Sequence, residues 1–308
     1  MAVRVFAPAS VTNLGPGFDV LGLALNAPGD TVTARQATNG SSDVTIVAIR
    51  GDGGALPMDP RHNTAGVAAV ATLRRAGITC GIELEIDKGL SLGSGLGSSA
   101  ASAAAAAYAV NLLMDSPLEP TDLIPPCVEA EGVVSGTHAD NVTPALLGGL
   151  ALVRSVDPLD IVRLPVPDGL LVVCATPAFE LSTRYARQVL PESVSLQQMV
   201  AATANLGALV SACHSGDLDL LARSIADDVV APARAQLIPG AEAVIEAAQA
   251  AGALGSSISG AGPTIFALCS PAADTNHVGA AMSQAFERAG LDSELNISPS
   301  SCPGARQI

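Results

Sequence analysis

The sequence predicts two α+β domains, over residues 1–160 and 161–308, and three observations carry that expectation. Strand-like and helix-like stretches are mixed along the chain without the regular repeat of a β/α barrel. A glycine-rich loop, Gly93-Ser94-Gly95-Leu96-Gly97-Ser98-Ser99, runs straight into an alanine-rich helix. Asp157-Pro158 and Pro165-Val166-Pro167 break the chain near its middle, and the second half has its own strands, helices and a Gly/Ser-rich loop at 254–264.

The elements follow in order. Val3, Val5 and Ala7 alternate with Ala2, Arg4 and Phe6 as a first strand that Pro8 should end. A turn-rich loop at 9–19 leads to strands at 20–26, 30–35 and 44–49. Asn63 suits the N-cap of a helix over 64–75 that Gly77 stops. Residues 82–87 alternate as a strand and lead into Lys88 and the glycine-rich loop. After the alanine-rich helix, a helix is expected at 122–134 and a strand at 150–154. The second half reads as a strand at 170–176, helices at 182–190, 196–213, 217–227 and 241–251, a strand at 265–269, a helix at 274–289 and a strand at 293–297.

Composition narrows the function. Hydrophobic residues make up 49% and charged residues 14%, which is a globular chain with a large core. A formal net charge of −14 argues against nucleic acid and anionic membranes as partners. The N-terminal residues hold no apolar run long enough for a secretory signal, and the Ala-rich run at 100–114 is too short to cross a bilayer. Six singly spaced cysteines without metal spacing point to reduced thiols and a cytoplasmic location. Lys88 is the only lysine, so a mechanism that needs one elsewhere is excluded.

The motifs leave phosphate chemistry. The loop at 93–99 lacks the Gly-Lys-Ser/Thr ending of a Walker A sequence and the G-x-G-x-x-G spacing of a dinucleotide site. No H-E-x-x-H pair occurs. A glycine loop opening a helix does offer unpaired N–H groups and the positive end of the helix dipole to an anion. Ser98 and Ser99 suit a helix cap, a phosphate contact or a metal contact. Loops at 8–19, 91–99 and 256–264 are rich in Gly, Ser, Thr and Asn, the material of a phosphoryl-transfer site built on positioning and charge compensation.

On those residues the chain resembles the GHMP kinases. Lys88 to Ala101 is similar to that family's second motif, with Ser91 where the usual proline stands. Ser257-Ile258-Ser259-Gly260-Ala261-Gly262-Pro263-Thr264 is similar to the third. Pro8-Ala9-Ser10 with Asn13-Leu14-Gly15-Pro16-Gly17-Phe18-Asp19, and His138-Ala139-Asp140-Asn141, resemble the branch that phosphorylates L-homoserine. The resemblance runs from about residue 3 to about residue 297.

It implies a GHMP fold with an N-terminal nucleotide-binding domain and a ferredoxin-like C-terminal domain. It implies an ATP- and Mg2+-dependent kinase that phosphorylates the homoserine hydroxyl for threonine biosynthesis. Ser91, Leu92, Gly93, Ser94, Gly95, Leu96, Gly97, Ser98 and Ser99 would hold the phosphates, with Asn63 and Lys88 near the base. Ser98 and Glu131 would bind Mg2+, with Glu129 as the fallback because Glu131 lies one residue closer to the histidine than the family spacing. Asn13, Asp19, His138, Asp140, Asn141, Thr183, Arg187, Arg234 and Gly260 match substrate positions, with Asn13, Asp140, Asn141 and Arg187 nearest the chemistry.

The chemistry of homoserine agrees. Arginines suit its carboxylate, Asp19 or Asp140 its ammonium, and Asn13 and Asn141 its hydroxyl. Since the first motif has no lysine, direct attack by an oriented hydroxyl is expected, with Asp140 as the alternative base. Kinases of other small alcohols (mevalonate, shikimate) and a catalytically silent ligand sensor are the competing readings. A homodimer fits the family, although the sequence carries no interface signature.

Overall fold

The computed structural model describes residues 2–38, 40–134 and 136–308. The first half comprises β1 (Ala2–Asn13), β2 (Gly17–Gln36), β3 (Val44–Arg50), α1 (Thr64–Ala76), β4 (Ile82–Asp87), α2 (Ser98–Leu113), α3 (Ile124–Glu131), α4 (Val142–Leu147), β5 (Leu150–Val156) and β6 (Leu159–Leu164). The second comprises β7 (Leu171–Pro177), α5 (Thr183–Gln188), α6 (Leu196–Ser215), α7 (Leu218–Ser224), α8 (Val230–Ala235), α9 (Ala241–Ala250), β8 (Gly255–Ile258), β9 (Ile265–Cys269), α10 (Thr275–Arg288), β10 (Ser293–Pro299) and β11 (Arg306–Gln307).

Two sheets organise the molecule. The first has seven strands, with a path β11-β1-β2-β4-β3 and a branch through β5 to β6. Strand β2 makes this branch possible: Thr31–Gln36 pairs with β4, while Leu21–Leu23 pairs with β5. The second sheet has the order β10-β7-β9-β8, which with its helices is the β-α-β-β-α-β pattern of a ferredoxin-like domain. The expected division at 160 falls inside β6, a strand of the first sheet, and β11 returns to that sheet by pairing with β1.

Pro8 does not end the first strand. It sits opposite Gly29, and a register shift between Pro8 and Ser10 lets β1 run on to Asn13. The strands expected at 20–26 and 30–35 are one 20-residue strand, because β1 pairs along most of its length. The helix expected at 122–134 is shorter. A 3-10 turn precedes it at Pro120–Leu123 and α3 ends at Glu131, while Ser135 of the following loop lies outside the described residues. α4, α8, β6, β8 and β11 have no counterpart in the sequence reading, since each is seven residues or shorter and held by tertiary pairing.

Helix α2 is the axis. Ala100 and Ala101 and all of Ala103 to Ala107 are fully buried, so the helix lies close against β1 and β2. A second core links the halves: Ala9, Val11, Leu21 and Leu23 of the first sheet pack with Val172, Leu209, Phe266 and Leu268. That shared core fixes the cleft between the domains in which the predicted residues meet. No helix of the described residues is long and apolar enough to cross a membrane.

Candidate active site

Three loops are stitched together at the head of α2. Ser10 N donates to Leu96 O at 3.0 Å, tying β1 to the glycine loop. Ser259 Oγ donates to Gly95 O at 2.8 Å, and Thr264 Oγ1 to Ser94 O at 2.7 Å. Each loop that the sequence marks for phosphate therefore borders the same cleft. Glycine is required within it: at Gly97 φ is +69°, and a Cβ would meet Ser10 Oγ at 2.5 Å and Asn141 Oδ1 at 2.6 Å.

A cavity of about 340 Å3 opens along this loop. Gly93, Ser94, Gly95, Gly97, Ser98 and Ser99 line it together with Leu56, Pro57, His62, Asn63 and Thr64. The expectation that a serine caps α2 fails. Gly97 is the N-cap and offers no side chain, so the first-turn amides remain available to an anion. Ser98 Oγ donates instead to Leu90 O at 3.3 Å. Asn63 caps α1 through Ala65 N at 3.0 Å and still lines the cavity.

Lys88 lines this cavity, but its charge is committed elsewhere. The side chains of Lys88 and Asp30 are 1% and 0% exposed and form an ion pair. Lys88 Nζ also donates to Ser98 O at 3.0 Å and Ser102 Oγ at 2.9 Å. Asp30 Oδ1 accepts from Gly89 N at 3.0 Å and Leu90 N at 3.2 Å. The pair thus joins the entry to the glycine loop to the first turn of α2. Asp30 was missed because an aspartate in mid-strand reads as a surface residue unless its lysine partner is known.

Of the two candidate glutamates, Glu131 lines the cleft and Glu129 does not. Glu131 is buried and its Oε2 accepts from Ser99 Oγ at 3.0 Å. Glu129 lies on the outer surface and pairs with Arg74. The metal expectation placed Ser98 beside Glu131; the hydroxyl that meets Glu131 belongs to Ser99. Carboxylate and hydroxyl oxygens are a hard donor set that suits Mg2+ completed by phosphate oxygens and water.

The predicted substrate residues converge on an adjoining cavity of about 40 Å3, lined among others by Asn13, Asp19, His138, Asp140, Asn141, Thr183, Arg187, Arg234 and Gly260. Asp19 accepts two hydrogen bonds of 3.0 Å from the Arg187 guanidinium. Both Asn13 and Asp19 have left-handed backbones, with φ of +68° and +58°. Asn13 holds that turn: its Oδ1 accepts from Asp19 N at 3.2 Å and its Nδ2 donates to Gly260 O at 3.1 Å. Asn13 therefore acts first as a brace for Asp19, beyond the hydroxyl contact expected of it. Ser10 Oγ donates to Asn141 Oδ1 at 2.9 Å and fixes that amide.

Arg187 and Arg234 stack on one aromatic ring, Phe18, at 5.4 and 5.2 Å from its centroid. Arg234 is 2% exposed, and burial first, then Arg187, push its pKa down to about 10, which still leaves it charged at neutral pH. Its Nη1 donates to Gly260 O at 2.6 Å. Phe18, and Thr12 in the lining of the small cavity, were missed by the sequence reading. Arg184, beside the expected Thr183, also brings a guanidinium to the larger cavity. Ser182 caps α5, and Thr183 is its first residue.

Asp140 is fully buried, and its Oδ1 has no hydrogen-bond partner among the described residues. Desolvation, then the charge of Asp19, push its pKa up to about 7. His138 Nδ1 lies 3.6 Å from Asp19 Oδ2, and burial lowers its pKa despite that carboxylate.

The fold and this cleft define a kinase of the GHMP class. The family profile for the GHMP kinases N terminal domain matches residues 63–149, and that for the GHMP kinases C terminal domain matches 209–288. The homoserine kinase of Chlorobium phaeobacteroides (strain BS1) is 44% identical over 317 aligned positions, covering 99% of both chains. That of Arabidopsis thaliana is 43% identical, covering 100% of this chain and 85% of its own. The crystal structure of homoserine kinase from Cytophaga hutchinsonii superposes with a TM-score of 0.96 at 44% identity, covering 100% of this chain and 97% of that one. L. major mevalonate kinase, at 17% identity and a TM-score of 0.71, shares the fold. The chain belongs to the homoserine kinase family of GHMP kinases.

Proposed function

We propose that this protein transfers the γ-phosphoryl group of ATP to the side-chain hydroxyl of L-homoserine, giving O-phospho-L-homoserine for threonine biosynthesis. The observation that carries this reading is the joining of two unlike cavities at Asn141 and Gly260. One is a phosphate cradle at a helix head; the other is a small pocket with two guanidiniums and three carboxyls, of which Glu131 also lines the cradle. An α-amino acid that bears a hydroxyl fits the second pocket's charges, and its hydroxyl would face the first.

The nucleotide base would lie against Leu56, Pro57 and Asn63, with the phosphates on the glycine-loop amides and the head of α2. Glu131, with the hydroxyls of Ser98 and Ser99, would hold Mg2+, which neutralises phosphate charge when bound. Asp19 would take the substrate ammonium, and Arg187 and Arg234 its carboxylate, a bidentate match that arginine geometry favours. Asn141, its amide fixed by Ser10, would orient the hydroxyl at the junction of the cavities.

Asp140 would receive the hydroxyl proton. Its buried carboxyl titrates near neutrality, where a base balances availability against strength. This favours base assistance over unassisted attack, the alternatives the sequence left open. A substrate panel tests the proposal. ADP release should be stimulated by L-homoserine and not by mevalonate or shikimate; equal stimulation by mevalonate would overturn it.

A further inference from the structure

The substrate pocket, about 40 Å3, has room for waters and not for a whole amino acid. The bidentate Asp19–Arg187 pair forms part of its lining. That pair copies the charges of a zwitterion: the Asp19 carboxylate stands where a ligand carboxylate would engage Arg187, and the Arg187 guanidinium stands where a ligand ammonium would engage Asp19. The closed arrangement is also incomplete. Arg187 Nε is buried and has no hydrogen-bond partner among the described residues. Arg234, beside it on the Phe18 ring, has carbonyl partners (Gly260 O and Ala186 O) and no carboxylate within ion-pair distance among those residues. A buried donor and a buried cation are therefore each short of an acceptor.

We infer that the Asp19–Arg187 pair is a built-in surrogate for the substrate, which an α-amino acid opens by exchange and which a ligand with only one of the two charges opens poorly. This rests on the homoserine reading above and makes the pair the determinant of specificity within that reading. Asp19 is the fixed half, since its left-handed backbone is braced through Asn13 to Gly260. Arg187 is the moving half, on the short helix α5, with the Phe18 face as a surface to slide along. A zwitterion replaces one ion pair by two and supplies an acceptor to Arg187 Nε and Arg234. A carboxylate alone strands Asp19; an ammonium alone strands Arg187 beside Arg234. This site thereby rejects carboxylate alcohols that lack an amine.

The test compares kcat/KM for L-homoserine and 4-hydroxybutanoate in the wild type and in Asp19→Asn, with ADP release as the readout. The wild type should prefer homoserine by at least about tenfold, the scale of stranding a charge that is only partly buried. Asp19→Asn should lose most homoserine turnover yet phosphorylate 4-hydroxybutanoate about tenfold faster than the wild type, because Arg187 is released. Unchanged or slower turnover of 4-hydroxybutanoate by a variant that keeps the wild-type melting temperature overturns the exchange. A second measurement needs no variant: in the wild type, ethylammonium should tighten 4-hydroxybutanoate binding at least about threefold, and no tightening overturns the inference. Absence of homoserine turnover in the wild type would instead remove the functional reading itself.

Discussion

Lys88 and Asp30 form a buried ion pair that joins the entry of the glycine loop to the first turn of α2. Breaking a buried pair from one side leaves an uncompensated charge and costs about 3–5 kcal/mol, while replacing both partners costs much less. Asp30→Asn should therefore destabilise the protein strongly, and Asp30→Asn with Lys88→Met should recover much of that loss in a denaturant titration. In the double variant KM for ATP should rise at least about tenfold with KM for homoserine little changed. The opposite split would place the pair outside phosphate positioning.

Asp140 should couple activity to stability. Its pKa is raised to about 7, so between the ordinary carboxylate range and pH 7 the folded protein keeps a proton that the unfolded chain has released. Its contribution to stability therefore falls as pH rises across that window and is level above it. Asp140→Asn should raise the melting temperature at pH 8, by ~2 °C for each kcal/mol relieved. The same change should lower kcat by about a hundredfold or more and abolish the rise of kcat with pH near 7. A variant with normal kcat and an unchanged pH profile would return the mechanism to unassisted attack.

The two candidate metal acids should separate cleanly. Glu131→Gln, at the cleft, should raise the Mg2+ concentration for half-maximal rate about tenfold or more. Glu129→Ala removes an exposed pair with Arg74, worth less than about 1 kcal/mol, and should leave the Mg2+ dependence unchanged.

Gly97→Ala probes how closely the loops approach. The added carbon meets Ser10 Oγ and Asn141 Oδ1 from a left-handed backbone. The Asn141 amide must then shift, so kcat should drop at least about tenfold, while Gly77→Ala, left-handed but in open space, should cost stability alone.

Much of this molecule was legible where the physics is local. β4 over 82–87, β9 over 265–269 and the Asn63 cap of α1 are set by alternation and capping within a few residues. The phosphate loops were legible because glycine, serine and threonine declare backbone chemistry. What remained hidden depends on partners far along the chain. Asp30 acquires meaning from Lys88, 58 positions away. The continuation of β1 past Pro8 depends on Gly29 across the ladder. The choice between Glu131 and Glu129 depends on which face of α3 turns to the cleft. That Asp19 and Arg187, 168 positions apart, close on each other could not be read from spacing at all.

The central claim is phosphorylation of the homoserine hydroxyl, and phosphorus NMR of the reaction mixture tests it most directly. With ATP, Mg2+ and L-homoserine, the account predicts a new phosphomonoester resonance that grows in step with ADP and shows coupling to the side-chain methylene protons. ADP accompanied by inorganic phosphate alone, with no phosphomonoester, would contradict it.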